Sequence, residues 1–259
     1  MSTIISSVTR QGAYEPFELQ VSRNQIQGHR SVTVFGFNPD VDATQVSVWP
    51  LPSLITFPAS AIQMKVSSTS ADDTSAGTGA RTVVVQGLDA NYNEVTETVT
   101  LNGQTAVTMT ASLLRVNYAY VGTAGSSNGA LGDIYVGTGV VTAGVPATTY
   151  DIIKFDYNNT TTGSYTIPAG YTAYLSQGLF SAGQAGGSNQ IQGRLLSRGV
   201  DNIRRTAAIT TLNNGVANYV FEYPLAIPEK TTLEATAIGS SNNNACSSMF
   251  VLALIKNGP

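Results

Sequence analysis

Apolar and polar residues alternate with a period of two along most of the chain, and no stretch holds the 3.6-residue period of an amphipathic helix for three turns. The clearest passage covers residues 82–110. Residues 82–86 read as a strand, 88–93 as its turn, and 94–101 as a strand that alternates along its whole length. Asn102-Gly103 follows, a dipeptide that tolerates positive φ at both positions, so the spacing predicts a hairpin and a return strand over 104–109. Upstream, residues 31–37 and 45–49 are strand-like. Trp49-Pro50-Leu51-Pro52 must leave any sheet interior, because proline cannot donate to the ladder.

The second half repeats this rhythm. Strands are expected around 165–167, 171–175, 190–197, 204–212, 216–223, 231–238 and 249–256, with turns at Gly170, 199–202 and Asn213-Asn214-Gly215 and loops at 72–80, 123–132 and 183–188. Residues 140–149, rich in Gly, Ala, Pro and Thr, read as a linker. The expected fold class is therefore all-β, with two β-sandwich domains. Residues 1–149 form an N-terminal sandwich with an extended N-terminal segment, and residues 150–259 a jelly-roll-like C-terminal sandwich.

Composition removes whole classes of function. Charged residues make up 11% of the chain and the net charge is -3, which speaks against nucleic-acid binding through clustered Lys and Arg. No apolar stretch approaches the ~20 residues of a membrane span. Residues 1–5 carry no basic segment before an apolar core, so synthesis and solubility in a cytoplasm are expected. Cys246 is the single cysteine and enters an apolar run, where an inert buried thiol is expected. His29 is the single histidine and reads as a surface loop residue; any Ser-His-Asp or Cys-His arrangement would have to use it, a His-based metal site lacks ligands, and no cofactor or metal is expected.

Carboxylates offer little more. Asp72-Asp73, Glu94 with Glu97, and Asp151 with Asp156 read as solvated loop charge, and the odd spacing of Glu94 and Glu97 puts them on opposite faces of their strand. Arg194, Arg198, Arg204 and Arg205 stand out, taking four of the chain's 13 Lys and Arg in one short stretch. They read either as two solvated β faces or as a patch that docks on an acidic neighbouring subunit through bidentate hydrogen bonds. Tyr118, Tyr120, Tyr135, Tyr165, Tyr171 and Tyr174 are ordinary strand residues or the lining of a glycan or subunit interface.

Several segments carry a resemblance as a set: 87–103 (GLDANYNEVTETVTLNG), 111–117 (ASLLRVN), 132–136 (GDIYV), 165–175 (YTIPAGYTAYL) and 221–231 (FEYPLAIPEKT). Together they resemble virion structural proteins of tailed phages, notably cyanophages. The resemblance implies a non-enzymatic virion component on the outer surface of the particle. It points first to a capsid decoration (cement) protein, commonly a homotrimer, that binds the major capsid protein. The alternative it implies is a tail, baseplate or head-fibre subunit that attaches to a host-surface glycan.

Overall fold

A computed structural model describes residues 15–183 and 189–258 of the chain. The N-terminal segment through residue 14 and residues 184–188 of the expected loop lie outside the described residues. Among the described residues a short helix, α1 (Phe17–Ser22), precedes sixteen strands. In chain order these are β1 (His29–Val41), β2 (Val46–Ser47), β3 (Ile62–Ser68), β4 (Ala80–Leu88), β5 (Glu94–Thr100), β6 (Val107–Leu113), β7 (Arg115–Ala124) and β8 (Ile134–Thr142). There follow β9 (Val145–Ile153), β10 (Ser164–Thr166), β11 (Tyr171–Gly183), β12 (Ile191–Arg198), β13 (Arg204–Leu212), β14 (Gly215–Ile227), β15 (Thr232–Gly239) and β16 (Asn244–Lys256). The chain is all-β.

Eight of the strands pair in a nested series. β1 pairs with β16, β10 with β15, β11 with β14 and β12 with β13, all antiparallel. A long hairpin folded over on itself produces this nesting and yields two sheets, β1-β16-β11-β14 and β10-β15-β12-β13. That is the wiring of a jelly roll. Strand alternation drives it: β16 is buried at every second residue from Asn244 to Leu254, and Phe180, Leu233, Phe250 and Leu252 meet Val34 and Val48 in one core.

Strands β3 to β9 form the sheets β6-β3-β8-β9 and β5-β4-β7 around a second core that contains Met64, Val85, Leu113 and Ile134. They are inserted between β2 and β10. Trp49 leaves the sheet as its prolines require and packs with Ile55, Tyr135 and Ile152 in a third, smaller cluster.

Pairing therefore crosses Thr149 rather than dividing there. β9 runs through that residue, and the early strands β1 and β2 pair with β16 and β15 from the end of the chain. The expected linker at 140–149 is instead a hairpin. Ala143 and Gly144 both take positive φ (49 and 85), the geometry of a two-residue turn that matches strand twist. Glycine is required at the second position, where a Cβ would stand 2.0 Å from the Ser68 carbonyl oxygen. Loop-like composition thus concealed a tight turn.

A second correction concerns Asn102-Gly103. The β4–β5 hairpin forms as expected, but β5 and β6 belong to different sheets, β5 pairing with β4 and β6 with β3. Gly103, at φ 60, makes a corner between the sheets and donates its N–H to Asp73 O. The dipeptide supplies the turn geometry, but long-range pairing decides which strand follows it.

Asp73 also departs from the reading of solvated loop charge. Its carboxylate is fully buried. It accepts from Ser68 Oγ at 2.5 Å and from the Ala80, Leu131 and Gly132 N–H groups at 2.7, 3.0 and 3.1 Å. One side chain thus ties the end of β3 to the start of β4 and to the loop before β8.

Candidate assembly surface

The four arginines singled out in the sequence do not form one open patch. Directly paired residues share a face, so Leu195 and Ala235 point to the core, while Arg194 and Arg198 point to the outer side of their sheet. There Phe57, from the segment after β2, covers Arg198. Arg198 lies over the Phe57 ring at 4.4 Å and within 3.8 Å of the buried Glu234, whose other oxygen accepts from Ser47 Oγ at 2.6 Å. Burial lowers the Arg198 pKa. Arg115 sits over the same ring at 4.6 Å, so Phe57 is shared by two guanidiniums. Arg194 is held by Gln192 and Arg205 by Asp201, and Arg204 approaches Glu234 at 3.8 Å. Arg204 and Arg205 keep 37% and 56% of their side chains exposed.

A different surface emerges from strand register. On the outer face of β1-β16-β11-β14, cross-strand neighbours fall into four rows: Phe37–Ser247–Ser181–Val216, Phe35–Met249–Leu179–Asn218, Thr33–Val251–Gln177–Val220 and Ser31–Ala253–Tyr174–Ala226. These four rows contain no Asp, Glu, Lys or Arg, although the exposed Glu222 follows Val220 on the same face of β14 at the bulge. An antiparallel sheet with one solvated face usually shows polar residues there, yet Phe35, Val216 and Val220 are 54%, 63% and 78% exposed. The face ends at the unpaired edge of β14, beside Tyr223, which is 82% exposed. Exposed apolar residues clustered among uncharged polar ones on one sheet face are the pattern expected of an interaction site. Sequence reading missed it because the rows come from four strands far apart in the chain; the signal present was the charge-free alternation of 245–255.

The remaining titratable groups have structural surroundings. His29 opens β1 and meets the edge of Phe17 at 5.9 Å. Cys246 is buried, which pushes its thiol up to about 12. Glu94 and Glu97 do point apart: Glu94 pairs with Arg30, and Glu97 accepts the Thr110 and Ala111 N–H groups, both at 2.8 Å. Among the described residues, no group of three or more His, Cys, Asp and Glu is placed to hold a metal, and no helix is long and apolar enough to cross a membrane.

Asp151 is the other buried carboxylate that the sequence reading placed in solvent. Burial raises its pKa from 3.8 to about 7, although Thr162 Oγ1 at 2.6 Å and the Ile152 N–H at 2.9 Å favour the charged form. The unfolded chain loses this proton near 3.8 and the folded chain near 7. Between those values the native state holds the extra proton, so this group's contribution is complete at low pH and is lost as pH rises to about 7. Asp151→Asn keeps an acceptor and does not titrate. Thermal melts at about pH 5 and pH 8 should show wild type losing stability across the interval and the variant losing less. An unchanged difference would refute the assignment.

No protein-family model and no curated protein sequence matches the chain. Solved structures with a partial likeness come from infectious bursal disease virus. The structure of the Gx strain is 10% identical, covers 90% of this chain and 73% of that one, and has a TM-score of 0.24. The crystal structure of the VP2 subviral particle is 11% identical with the same coverages and a TM-score of 0.25. Scores at this level define no common fold.

Proposed function

We propose that this chain is a non-enzymatic structural subunit of a virus particle, and specifically a decoration (cement) protein on the outer surface of a tailed-phage capsid. The observation that carries the reading is the partly apolar outer face of β1-β16-β11-β14, whose charge among the described residues of its paired rows and bulge is confined to Glu222 at the β14 margin. Such a sparsely charged face repels a second copy of itself only weakly. Four strands about 4.8 Å apart, together with the β14 edge, offer roughly 500 Å² per partner, near the ~1,000 Å² total at which specific interfaces begin.

A face-to-face contact closes as a dimer, whereas a trimer needs the face to meet a different surface on the next copy. The β14 edge with Tyr223 is that second surface in the homotrimer we propose. The jelly-roll wiring supports the reading only as analogy, because virus-shell domains use it and unrelated proteins use it too. Arg204 and Arg205, the exposed pair of the four arginines, are proposed to meet carboxylates of the major capsid protein. We also propose a division into two units, the β3–β9 sheets and the jelly roll, with one unit on the shell and the other facing outward.

Cementing of this kind involves no bond chemistry. Each contact is modest, and many copies act at once through multivalency. Gel densitometry of purified particles tests it: a decoration protein is present in on the order of hundreds of copies, while a tail or fibre component numbers in roughly the tens or fewer. A count in the lower range would overturn the cement assignment.

A further inference from the structure

The cleft along β1 borders the assembly surface, sharing Thr33 and Phe35 with its edge rows, and has its own chemistry on the facing sheet. It holds about 630 Å³ between residues 30–35 of β1 and the outer face of β5-β4-β7, within the range of small-molecule sites. On that facing sheet, Thr96, Gln86 and Tyr118 stand side by side in one cross-strand row. Asn159, Thr160 and Thr162 form another part of the lining.

Three features narrow the ligand. First, the charged lining residues are Arg30 and Glu94, which neutralise each other in an ion pair. An ion would gain little there. Second, polar groups are available: among the described residues the Gln86, Thr96 and Thr33 side chains are engaged in no side-chain hydrogen bond. Third, aromatic faces accompany them, with Phe35 54% and Tyr118 39% exposed. A ligand matching this lining is uncharged, carries hydroxyls around its edge, and has an apolar face to lay on a ring.

We infer that this cleft binds a neutral carbohydrate, an oligosaccharide of a few sugar units. Gln86, Thr96 and Thr33 exchange hydrogen bonds with its hydroxyls, and Tyr118 supplies the stacking surface. The test variants separate this inference from the assembly reading, because Gln86, Thr96 and Tyr118 lie on β5-β4-β7, whereas Thr33 and Phe35 belong to both surfaces. β1 is also a sheet edge, so an extended peptide adding a strand is the competing occupant.

The test titrates the full chain with maltotriose, cellotriose and chitotriose, alongside a sulfated trisaccharide and a Thr-Val alternating decapeptide, followed by backbone amide NMR and calorimetry. The expected result is binding of at least one neutral trisaccharide at or below about 10 mM, with shifts at Thr33, Gln86 and Tyr118. Gln86→Ala and Tyr118→Ala should each weaken binding by about tenfold or more. Thr96→Ala, at an exposed position, provides a second variant if Tyr118→Ala does not fold. Val220→Glu should bind as wild type. The inference is overturned if no neutral trisaccharide binds, if Gln86→Ala and Thr96→Ala bind normally, or if the sulfated sugar or the peptide binds in preference.

Discussion

Asp73→Ala should lower the unfolding midpoint by about 10 °C, the largest effect expected of any single substitution outside the apolar cores. The wild-type carboxylate accepts four hydrogen bonds in a site that excludes water. Alanine would strand three backbone N–H groups and one hydroxyl. A hydrogen bond to a charged group is worth about 1.5–3 kcal/mol, and losses within one network do not add. A net cost of about 3–4 kcal/mol follows, and a chain of this size loses about 2–4 °C per kcal/mol. Asp73→Asn retains part of the acceptor set and should fall between the two. The neighbouring Asp72 is exposed, so Asp72→Ala should change stability by no more than about 0.5 kcal/mol. Calorimetric melts of the four proteins check this directly. Equal melting of Asp73→Ala and Asp72→Ala would show that the buried carboxylate does not hold the loops together.

Val216→Glu combined with Val220→Glu should abolish self-association while leaving the fold intact. Both side chains are exposed, 63% and 78%, and stand on an edge strand where glutamate is readily solvated. The isolated chain should therefore melt as wild type does. In the assembly the same positions are buried against a neighbour, and two unpaired carboxylates there cost at least about 4 kcal/mol, or roughly 10³-fold in association. Circular dichroism checks the fold and light scattering the mass. A double variant that assembles normally would remove this face from consideration.

How much of this was legible in the sequence depends on the range of the interaction. Strand positions came from period-two alternation, and β4, β5, β12, β13 and β16 lie close to where the pattern puts them. Pairing partners were not legible: β1 finds β16 across most of the chain because both bury alternate residues in one core, and no local signal encodes that. The jelly-roll character of the second half was anticipated, whereas its first strand coming from residues 29–41 was not.

Loop composition misled at Ala143-Gly144, where small residues mark a tight turn rather than a linker. Burial misled at Asp73, because a carboxylate between loop residues looks the same in sequence whether water or backbone N–H groups surround it, and at Asp151, where residues 140–149 read as a linker and hid the strand β9 that carries it inward. The arginines illustrate the same limit. Their clustering in sequence was evident, but Phe57 and Glu234, which engage Arg198, lie far from it along the chain.

The central claim, that this chain works by assembling through the outer face of β1-β16-β11-β14, is tested most directly by the solution mass of the intact chain. Sedimentation equilibrium over a range of micromolar concentrations should show a species of three times the 27.1 kDa chain mass, converted to the single-chain mass by Val216→Glu with Val220→Glu. A wild-type protein that remains at 27.1 kDa throughout the range would contradict it.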